Sequence, residues 1–260
     1  MDTLQQQYLQ ALGIQTWELK LTPETGVDDS CKVSARAHSL ESIQSPVAVP
    51  EPQRESVPRS SPNSPPADWK TLQYRVQHCD KCSLHQNRTQ AVFGVGDMQA
   101  RWMVIGEAPG ADEDLQGEPF VGRAGQLLNE MLLAMGLKRE QVYIANILKC
   151  RPPNNRDPRP EEVQQCEGYL QAQIQLIQPR LILALGRIAA QNLLRTDTAV
   201  GRLRKQRFEY CDIPVIVTYH PAYLLRSGKE KRKAWQDLLY AMQVYRSLEK
   251  KELEQQGLLQ

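Results

Sequence analysis

Residues 102–110 read WMVIGEAPG, a short apolar run that ends in a loop with two glycines and a proline. A run of this length and composition is typical of a buried strand, and such a loop is typical of the place where a strand ends. Similar apolar runs recur further along the chain. Together they predict four buried strands, at Trp102–Gly106 and at residues 142–147, 181–186 and 215–219.

Helical patterns separate these strands. Pro160 is followed by two glutamates, which is the composition that a first helical turn favours. Residues 187–195 and 230–248 supply two more helices. Another helix is indicated by apolar residues that recur with helical spacing, at Leu127, Leu128, Met131, Leu132 and Met135. This alternation predicts an α/β fold, a three-layer αβα sandwich with a central, mainly parallel four-stranded sheet.

Three of the predicted strands end in residues that can do chemistry. Glu107 lies in the GEAPG loop after the first strand, Asn146 lies near the end of the second, and His220 follows the last. The loop is not a phosphate-binding P-loop, because no Gly-Lys-Ser/Thr follows it. A single histidine or asparagine is more often structural than catalytic. Ligands bind at the carboxyl ends of parallel strands, however, so the three segments together predict one site.

Four of the six cysteines have the spacing of ligands to one metal centre. The chain opens without the basic and apolar regions of a secretory signal, so we expect a cytoplasmic protein, where clustered cysteines favour metal over disulfides. Spacing leaves zinc and an iron–sulfur cluster equally open, since four thiolates suit both. Cys31 and Cys211 are interpreted as free thiols. The predicted ligands are Cys79, Cys82, Cys150 and Cys166.

Composition divides the chain into two parts. Its 260 residues, 41% of them hydrophobic, can bury one sizeable core. The proline- and serine-rich stretch 45–66 cannot, so residues 1–68 are predicted to be a leader and flexible linker, and residues 69–260 the folded domain. Apolar residues between Leu4 and Ile14 could form a short helix that docks on a partner protein, or be a plain tail. No apolar run reaches the ~18 residues of a membrane span.

Charge is distributed unevenly between these parts. Residues 1–68 hold 5 Lys and Arg against 9 Asp and Glu, which leaves 27 against 21, a net +6, for residues 69–260. The basic residues cluster at 202–207 and 226–233. Such clusters are usually a solvated surface, but the second begins only six residues after His220. A role in binding phosphates beside the predicted site is therefore plausible.

Several motifs together resemble one known family. In order, CDKC (79–82), GEAPG (106–110), DEDLQGEPFVGRAGQLL (112–128), YIANILKCRPP (143–153) and YHPAYLL (219–225) are similar to the family 4 uracil-DNA glycosylases. The resemblance covers about Tyr74 to Tyr245. It implies a uracil-DNA glycosylase-like fold and a structural [4Fe–4S] cluster held by the four cysteines. The implied reaction is hydrolysis of the bond between uracil and deoxyribose in DNA, which releases free uracil and leaves an abasic site for base excision repair.

The implied reaction assigns roles to particular side chains. Phe120 matches the family position that stacks on the uracil ring. Asn146 can pair with uracil O4 and N3–H, where cytosine presents the reverse pattern. His220 suits a hydrogen bond to uracil O2, in either protonation state. Glu107, or an acid among residues 112–114, is expected to hold the attacking water.

Three further residues are assigned to substrate binding. Ala108 is expected to present backbone groups to uracil, and Glu113 to shape the pocket against the methyl group of thymine. The target nucleotide must leave the duplex, so an apolar side chain is needed to fill the gap, and Leu224 is the candidate wedge.

Two other classes of protein stay open at this point. A non-catalytic iron–sulfur DNA-binding module is one, because glycosylase-like domains occur in phage polymerase-type proteins. An iron–sulfur electron carrier is the other, although it would need neither the YHPAYLL block nor the basic clusters. The expected partner is uracil-containing DNA, single- or double-stranded, bound by a monomer.

Overall fold

The computed structural model of this protein describes residues 68–255. Six β-strands and eight α-helices lie in this range, with short 3-10 turns between them. The strands are β1 (Val95–Gly96), β2 (Trp102–Gly106), β3 (Tyr143–Asn146), β4 (Leu181–Leu185), β5 (Arg207–Tyr210) and β6 (Ile213–Thr218). The helices are α1 (Trp69–Gln77), α2 (Ala111–Gln116), α3 (Arg123–Ala134), α4 (Pro160–Ile177), α5 (Gly186–Leu194), α6 (Val200–Leu203), α7 (Pro221–Arg226) and α8 (Lys231–Gln255).

The strands form one sheet in the order β1-β3-β2-β4-β6-β5. The four inner strands are parallel to one another, and the two edge strands are antiparallel to their neighbours. Gly106 at the end of β2 pairs with Asn146 at the end of β3. Leu185 at the end of β4 likewise pairs with Thr218 of β6. The carboxyl ends of the inner strands therefore lie along one edge of the sheet.

Helices cover both faces of the sheet. Helices α3, α7 and α8 pack on one face, over Val104, Leu183 and Ile216. Helices α4, α5 and α6 pack on the other, over Ile105 and Val217. Every residue of β2 and β4 is buried, which explains why these strands are continuous apolar runs rather than alternating ones. The predicted αβα sandwich with a mainly parallel sheet is confirmed.

The predicted number of four strands is wrong, because the sheet has six. β1 contains two residues, too few for any pattern. β5 reads RFEY, and its residues alternate between exposed and half-buried at the sheet edge. A polar edge strand has the composition of a loop, so only the four inner strands gave a sequence signal.

The helix boundaries follow from ordinary capping chemistry. Pro160 occupies the first turn of α4, and the carboxylate of Glu162 accepts the backbone N–H of Arg159 at 2.8 Å. The carboxylate of Asp68 caps α1 through the N–H of Thr71 at 3.4 Å. Among the described residues, no helix has the length and apolarity needed to cross a membrane. The leader helix, the linker and Cys31 lie outside the described range, and the domain boundary stays a prediction.

Candidate active site

A cavity of about 410 Å³ opens at the carboxyl ends of the inner strands. It lies where the loops after β2, β3 and β6 meet, which is the place that the strand order predicts for a ligand. Six of the predicted site residues line it, namely Glu107, Ala108, Glu113, Phe120, Asn146 and His220. The sequence placed them on segments up to 113 residues apart, and the structure brings them to one cavity.

Asn146 is the last residue of β3 and lines the cavity with a side chain that is only 2% exposed. Its Oδ1 atom is buried and has no hydrogen-bond partner among the described residues. A Cβ atom on Gly106 would lie 2.5 Å from this oxygen, so glycine at the end of β2 makes room for the amide. A buried acceptor without a partner is rare, and here it is free for a ligand.

Phe120 is held in a backbone conformation that few side chains adopt. Its φ is +56°, in the left-handed region. Helix α3 accommodates this turn only because residue 125 is glycine: a Cβ atom there would lie 1.8 Å from the carbonyl oxygen of Phe120. The ring is buried, and its centroid lies 5.5 Å from that of His220, with 32° between the planes. A flat apolar face thus lies next to the imidazole.

His220 is the N-cap residue of α7. The backbone N–H of Ala222 donates to Nδ1 at 3.2 Å, so the other ring nitrogen, Nε2, carries the proton. Burial, and then the charge of Arg226, lower the pKa of His220 to about 4. A Cβ atom on Gly186 would lie 2.7 Å from the Cβ of His220, so the start of α5 also fits closely against it. The residue is a neutral, fixed N–H donor at neutral pH.

Glu107 is half-buried in the loop after β2. The N–H groups of Ile147 and Leu148 donate to the carbonyls of Gly106 and Glu107, each at 3.0 Å, which fixes the loop beside the end of β3. Burial, reinforced by the charge of Asp157, raises the pKa of Glu107 to about 7, against the opposing effect of Arg187. A carboxyl group of this pKa can accept a proton near neutral pH.

Glu113 lines the cavity but is fully engaged in holding it together. One carboxylate oxygen accepts the N–H of Gly110 at 3.0 Å, and the other accepts those of Val121 and Gly122 at 3.1 and 3.3 Å. The side chain therefore ties the GEAPG loop to the segment that carries Phe120. Its predicted effect on the methyl group of thymine stays a prediction.

Leu224 does not lie in the cavity. It is 1% exposed and packs in the core between α3, α7 and the sheet. A side chain buried in that position does not face the cavity or the surface, so the structure does not support Leu224 as the wedge. On a one-turn helix, neighbouring residues point in different directions. Leu225, at 40% exposed, and Tyr223, at 37% and lining the cavity, are the accessible side chains of this segment.

The four predicted metal ligands border one second, small cavity, together with Lys149 and Tyr169. Cys79 and Cys82 follow α1, Cys150 follows β3, and Cys166 lies on α4. Arg88 donates to the sulfur of Cys150 at 2.9 Å, and the N–H of Lys149 to that of Cys166 at 3.3 Å. In the part of the chain that the structure describes, no three Cys, His, Asp or Glu side chains are gathered for a single metal ion.

Donor chemistry tests whether the implied cluster suits these residues. Four thiols on one cavity are the donor set of an iron–sulfur cluster, and hydrogen bonds and cations beside the sulfurs are the usual surroundings of such ligands. These donors therefore fit a cluster.

Other residues of the site were not predicted. The segment 151–159 follows Cys150 and forms part of the cavity wall through Pro152, Asn155, Arg156 and Asp157. Its position directly after a predicted strand, at the same edge of the sheet as Glu107, was the available signal. The buried Lys149 is another residue that was not predicted. Its Nζ donates to the carbonyl of Asn146 at 2.9 Å and to the side-chain oxygen of Gln173 at 2.7 Å.

The basic clusters divide into two kinds of residue. Arg204 is structural, because it donates to the buried carboxylate of Asp237 at 2.7 Å and lies over the ring of Tyr219. Arg226, by contrast, is exposed and borders the active-site cavity. Arg202 and Lys205 are also exposed, so the clusters keep cations that can reach a phosphate backbone.

Comparison with known proteins agrees with this fold. Residues 93–239 match the model of the uracil DNA glycosylase superfamily. The chain belongs to the uracil DNA glycosylase superfamily. It is 51% identical to the type-4 uracil-DNA glycosylase of Archaeoglobus fulgidus over 158 residues, which are 58% of this chain and 79% of that protein.

Two further relatives bear the same name. The type-4 uracil-DNA glycosylase of Pyrobaculum aerophilum is 43% identical over 66% of this chain and 91% of its own length. That of Thermotoga maritima is 46% identical over 59% of this chain and 81% of its own length. The resemblance to family 4 that the sequence motifs predicted is confirmed.

Proposed function

We propose that this protein is a uracil-DNA glycosylase that hydrolyses the bond between uracil N1 and deoxyribose in DNA, as the first step of base excision repair. The observation that carries the proposal is the meeting of an aromatic ring, an unpaired amide oxygen, a neutral imidazole and a carboxyl group in one cavity. These are the groups needed to bind a flat base, identify it, stabilise it as it leaves, and direct water.

Binding requires that the nucleotide leave the double helix. A stacked base exposes neither its sugar carbon nor its Watson–Crick edge, and extruding it costs a few kcal/mol. Stacking on Phe120 returns roughly 1–3 kcal/mol. Contacts of exposed cations such as Arg226 with phosphates contribute further binding energy. Leu225 and Tyr223, which are exposed on α7, replace Leu224 as candidates to fill the gap in the stack.

Selection of uracil is assigned to Asn146. Its Oδ1 atom accepts the N3–H of uracil, and its amide nitrogen donates to O4. Cytosine has an acceptor at N3 and a donor at N4, so it would leave the same buried amide unsatisfied. An unpaired buried polar group costs ~1–3 kcal/mol, which is enough to reject cytosine by about 10-fold to 100-fold.

Departure of the base is assigned to His220. Negative charge develops on uracil O2 as the glycosidic bond lengthens, and a fixed N–H donor there stabilises the transition state more than the ground state. The proton on Nε2 and the lowered pKa of His220 make it a neutral donor. Such a donor contributes ~3–4 kcal/mol, or roughly 10²–10³ in rate.

Attack on the sugar carbon is assigned to water held by Glu107. The carboxylate form accepts the proton of that water and offsets the positive charge that develops on the sugar. The pKa of about 7 places the group where it can accept this proton near neutral pH. Ala108, the next residue in the loop and also on the cavity wall, presents backbone groups to the base.

A [4Fe–4S] cluster is proposed for the cavity bordered by Cys79, Cys82, Cys150 and Cys166. It would supply a structural link between α1, the end of β3 and α4, and no step of the reaction passes through it. The shared cavity, the cations beside the sulfurs and the type-4 relatives support it. The expected cytoplasmic location, the monomeric state and a partner for residues 1–68 stay predictions.

The test is direct. Purified protein is incubated with an oligonucleotide that carries one uracil, and abasic sites are then cleaved with alkali. Strand cleavage at the uracil position is expected, with none in a strand that carries thymine there. The variant His220→Ala should fold like the wild type and lose roughly 10²–10³ in excision rate. DNA binding without cleavage by the wild type would instead identify a non-catalytic DNA-binding module.

A further inference from the structure

An aspartate borders a cavity that is proposed to receive DNA. Asp157 lines the same cavity as Glu107, and its side chain is largely exposed. A carboxylate at the mouth of a DNA-binding site repels the phosphate backbone, which is unfavourable for binding. We therefore expect the role of Asp157 to lie in the cavity, and not in DNA binding.

The segment that carries Asp157 is anchored in place. Arg156 makes a two-pronged ion pair with the buried Glu162 of α4, at 2.5 and 2.9 Å. The same guanidinium donates to the carbonyl of Asp157 at 2.9 Å. A bidentate pair of this kind fixes direction as well as distance. The backbone of Asp157 is thus held at the cavity wall.

Arg187 meets Asp157 from the other side. It is the second residue of α5, which begins directly after β4, and β4 lies beside β2, the strand that precedes Glu107. Its guanidinium donates to the carboxylate of Asp157 at 2.5 Å. Asp157 therefore lines the same cavity as the carboxyl group that holds water in the proposed mechanism, and it is paired there with a cation from α5.

We propose that Asp157 and Arg187 are positioning residues for Glu107, which act with opposite signs to set the charge that its carboxyl group carries at neutral pH. The proposal rests on the function proposed above. Asp157 favours the protonated form of Glu107 and Arg187 the ionised form, and both act in addition to burial. This pair thus helps to keep the pKa of Glu107 close to neutral pH.

Other ionisable groups line the cavity with Glu107. His220 is neutral because its pKa is lowered to about 4. Glu113 accepts three backbone N–H groups, and Arg156 is paired with Glu162. Arg226 reaches the cavity from α7 and belongs to the exposed cations. Asp157 and Arg187 act on Glu107 and are both largely exposed, so removing either charge breaks no buried contact.

The experiment compares Asp157→Asn and Arg187→Gln in the full-length protein. Single-turnover uracil excision is measured from pH 5 to pH 9. The acid limb should move to lower pH by about half a unit in Asp157→Asn and to higher pH by about half a unit in Arg187→Gln, since both charges are partly screened by solvent. Asp197→Asn and Arg195→Gln, exposed residues remote from this cavity, are matched controls that should keep the wild-type limb.

A second readout follows Glu107 itself. The protein is labelled with ¹³C at glutamate carboxyl carbons, and the signal that disappears in Glu107→Gln is titrated in each variant. Opposite shifts of this signal support the proposal. If they occur without shifts in the rate profile, the proposal stands and the role of Glu107 in directing water fails. Unchanged titration of Glu107 in both variants, whatever the rates, overturns the proposal.

Discussion

Asn146 shows how one residue combines a structural and a chemical role. Asn146 ends β3, and its backbone carbonyl accepts a hydrogen bond from the buried Nζ of Lys149. Its side-chain oxygen has no hydrogen-bond partner among the described residues. The strand fixes the amide, and the amide is available to the base. In the proposed mechanism, specificity for uracil is therefore placed on a rigid element rather than on a flexible loop.

Replacing this amide tests the assignment. Asn146→Ala should lower uracil excision by about 10-fold to 100-fold, because two hydrogen bonds to the base are lost. Its thermal stability should change little, since the removed oxygen has no partner in the described part of the protein. Single-turnover rates and melting temperatures measure both. Asn192→Ala is the control, because that amide bonds within α5, away from the cavity. Equal excision by both variants would contradict the assignment.

The pH dependence of the reaction follows from two shifted groups. In the proposed mechanism Glu107 acts ionised, so the rate should rise with pH through about 7, the raised pKa of this residue. His220 acts neutral, and its pKa of about 4 lies below this range, so it should add no limb between pH 5 and pH 9. Single-turnover rates check this, and Glu107→Gln should remove the limb. A wild-type rate that is constant from pH 5 to pH 9 would be inconsistent with the role of Glu107.

The same pKa makes a prediction about stability. A carboxyl group whose pKa rises from 4.5 to about 7 on folding binds more protons in the folded state within that window. The free energy of unfolding should therefore fall as pH rises from about 4.5 to 7, and stay lower above it. Glu107→Gln removes this loss, so its melting temperature relative to wild type should be higher at pH 8 than at pH 5. An equal difference at both pH values would contradict the shift.

Single residues were only partly predictable from the sequence. The positions of Asn146 and His220 follow from strand ends, which apolar runs locate well. Leu224 was assigned by its distance along the chain from His220, and the direction of a side chain on a one-turn helix cannot be read from such a distance. The position of segment 151–159 after a strand was a usable signal, but the contact of Asp157 with Arg187, 30 residues further on, leaves no local pattern.

Helix α3 and the turn before it work as a unit. The left-handed conformation at Phe120 is possible because Gly125 leaves space for the carbonyl of Phe120. This arrangement turns the ring into the cavity. A glycine inside a helix normally lowers stability by ~1 kcal/mol relative to alanine, so the structure accepts a weaker helix in return for the position of the ring.

Two glycine substitutions separate these effects. Gly125→Ala should lower both stability and uracil excision, because the new Cβ would overlap the Phe120 carbonyl at 1.8 Å. Gly168→Ala, in the exposed part of α4, meets nothing within 4 Å and should stabilise the protein by ~0.5–1 kcal/mol without loss of activity. Chemical denaturation and excision assays measure both. Stabilisation by Gly125→Ala would contradict the proposed close contact.

The inner strands could be predicted because nearly all of their residues are buried. β2 and β4 are buried along their whole length, so composition alone identifies them. The edge strands β1 and β5 are short or polar, and their hydrogen bonds to β3 and β6 depend on partners that the sequence does not reveal. Edge strands are therefore the elements that pattern analysis misses here.

The four cysteines connect the layers of the whole molecule. Cys79 and Cys82 follow the first helix of the described range, Cys150 follows the central sheet, and Cys166 lies on α4. Lys149 lies between these cysteines and the carbonyl of Asn146, and Gln173 extends the contact to the hydroxyl of Tyr143. Lys149, which makes these contacts with the end of β3, is thus the residue next to Cys150, a proposed ligand of the cluster.

Loss of one ligand tests this link. Cys166→Ser should lose iron and visible absorption, melt at a lower temperature and excise uracil more slowly, because serine is a poor ligand for an iron–sulfur cluster. Iron content, absorption and melting temperature are measured after anaerobic purification. Cys211→Ser, at an exposed cysteine on the β5–β6 turn, should match the wild type. Full iron content in Cys166→Ser would exclude Cys166 as a ligand.

The contact between residues 120 and 125 also constrains how this sequence can change over time. An aromatic ring directed by a left-handed turn requires a hydrogen atom, and nothing larger, five positions later. In related sequences the two positions should therefore vary as a pair: wherever the ring is retained the glycine should be retained, and a bulkier residue at the second position should accompany a different residue, or a different turn, at the first.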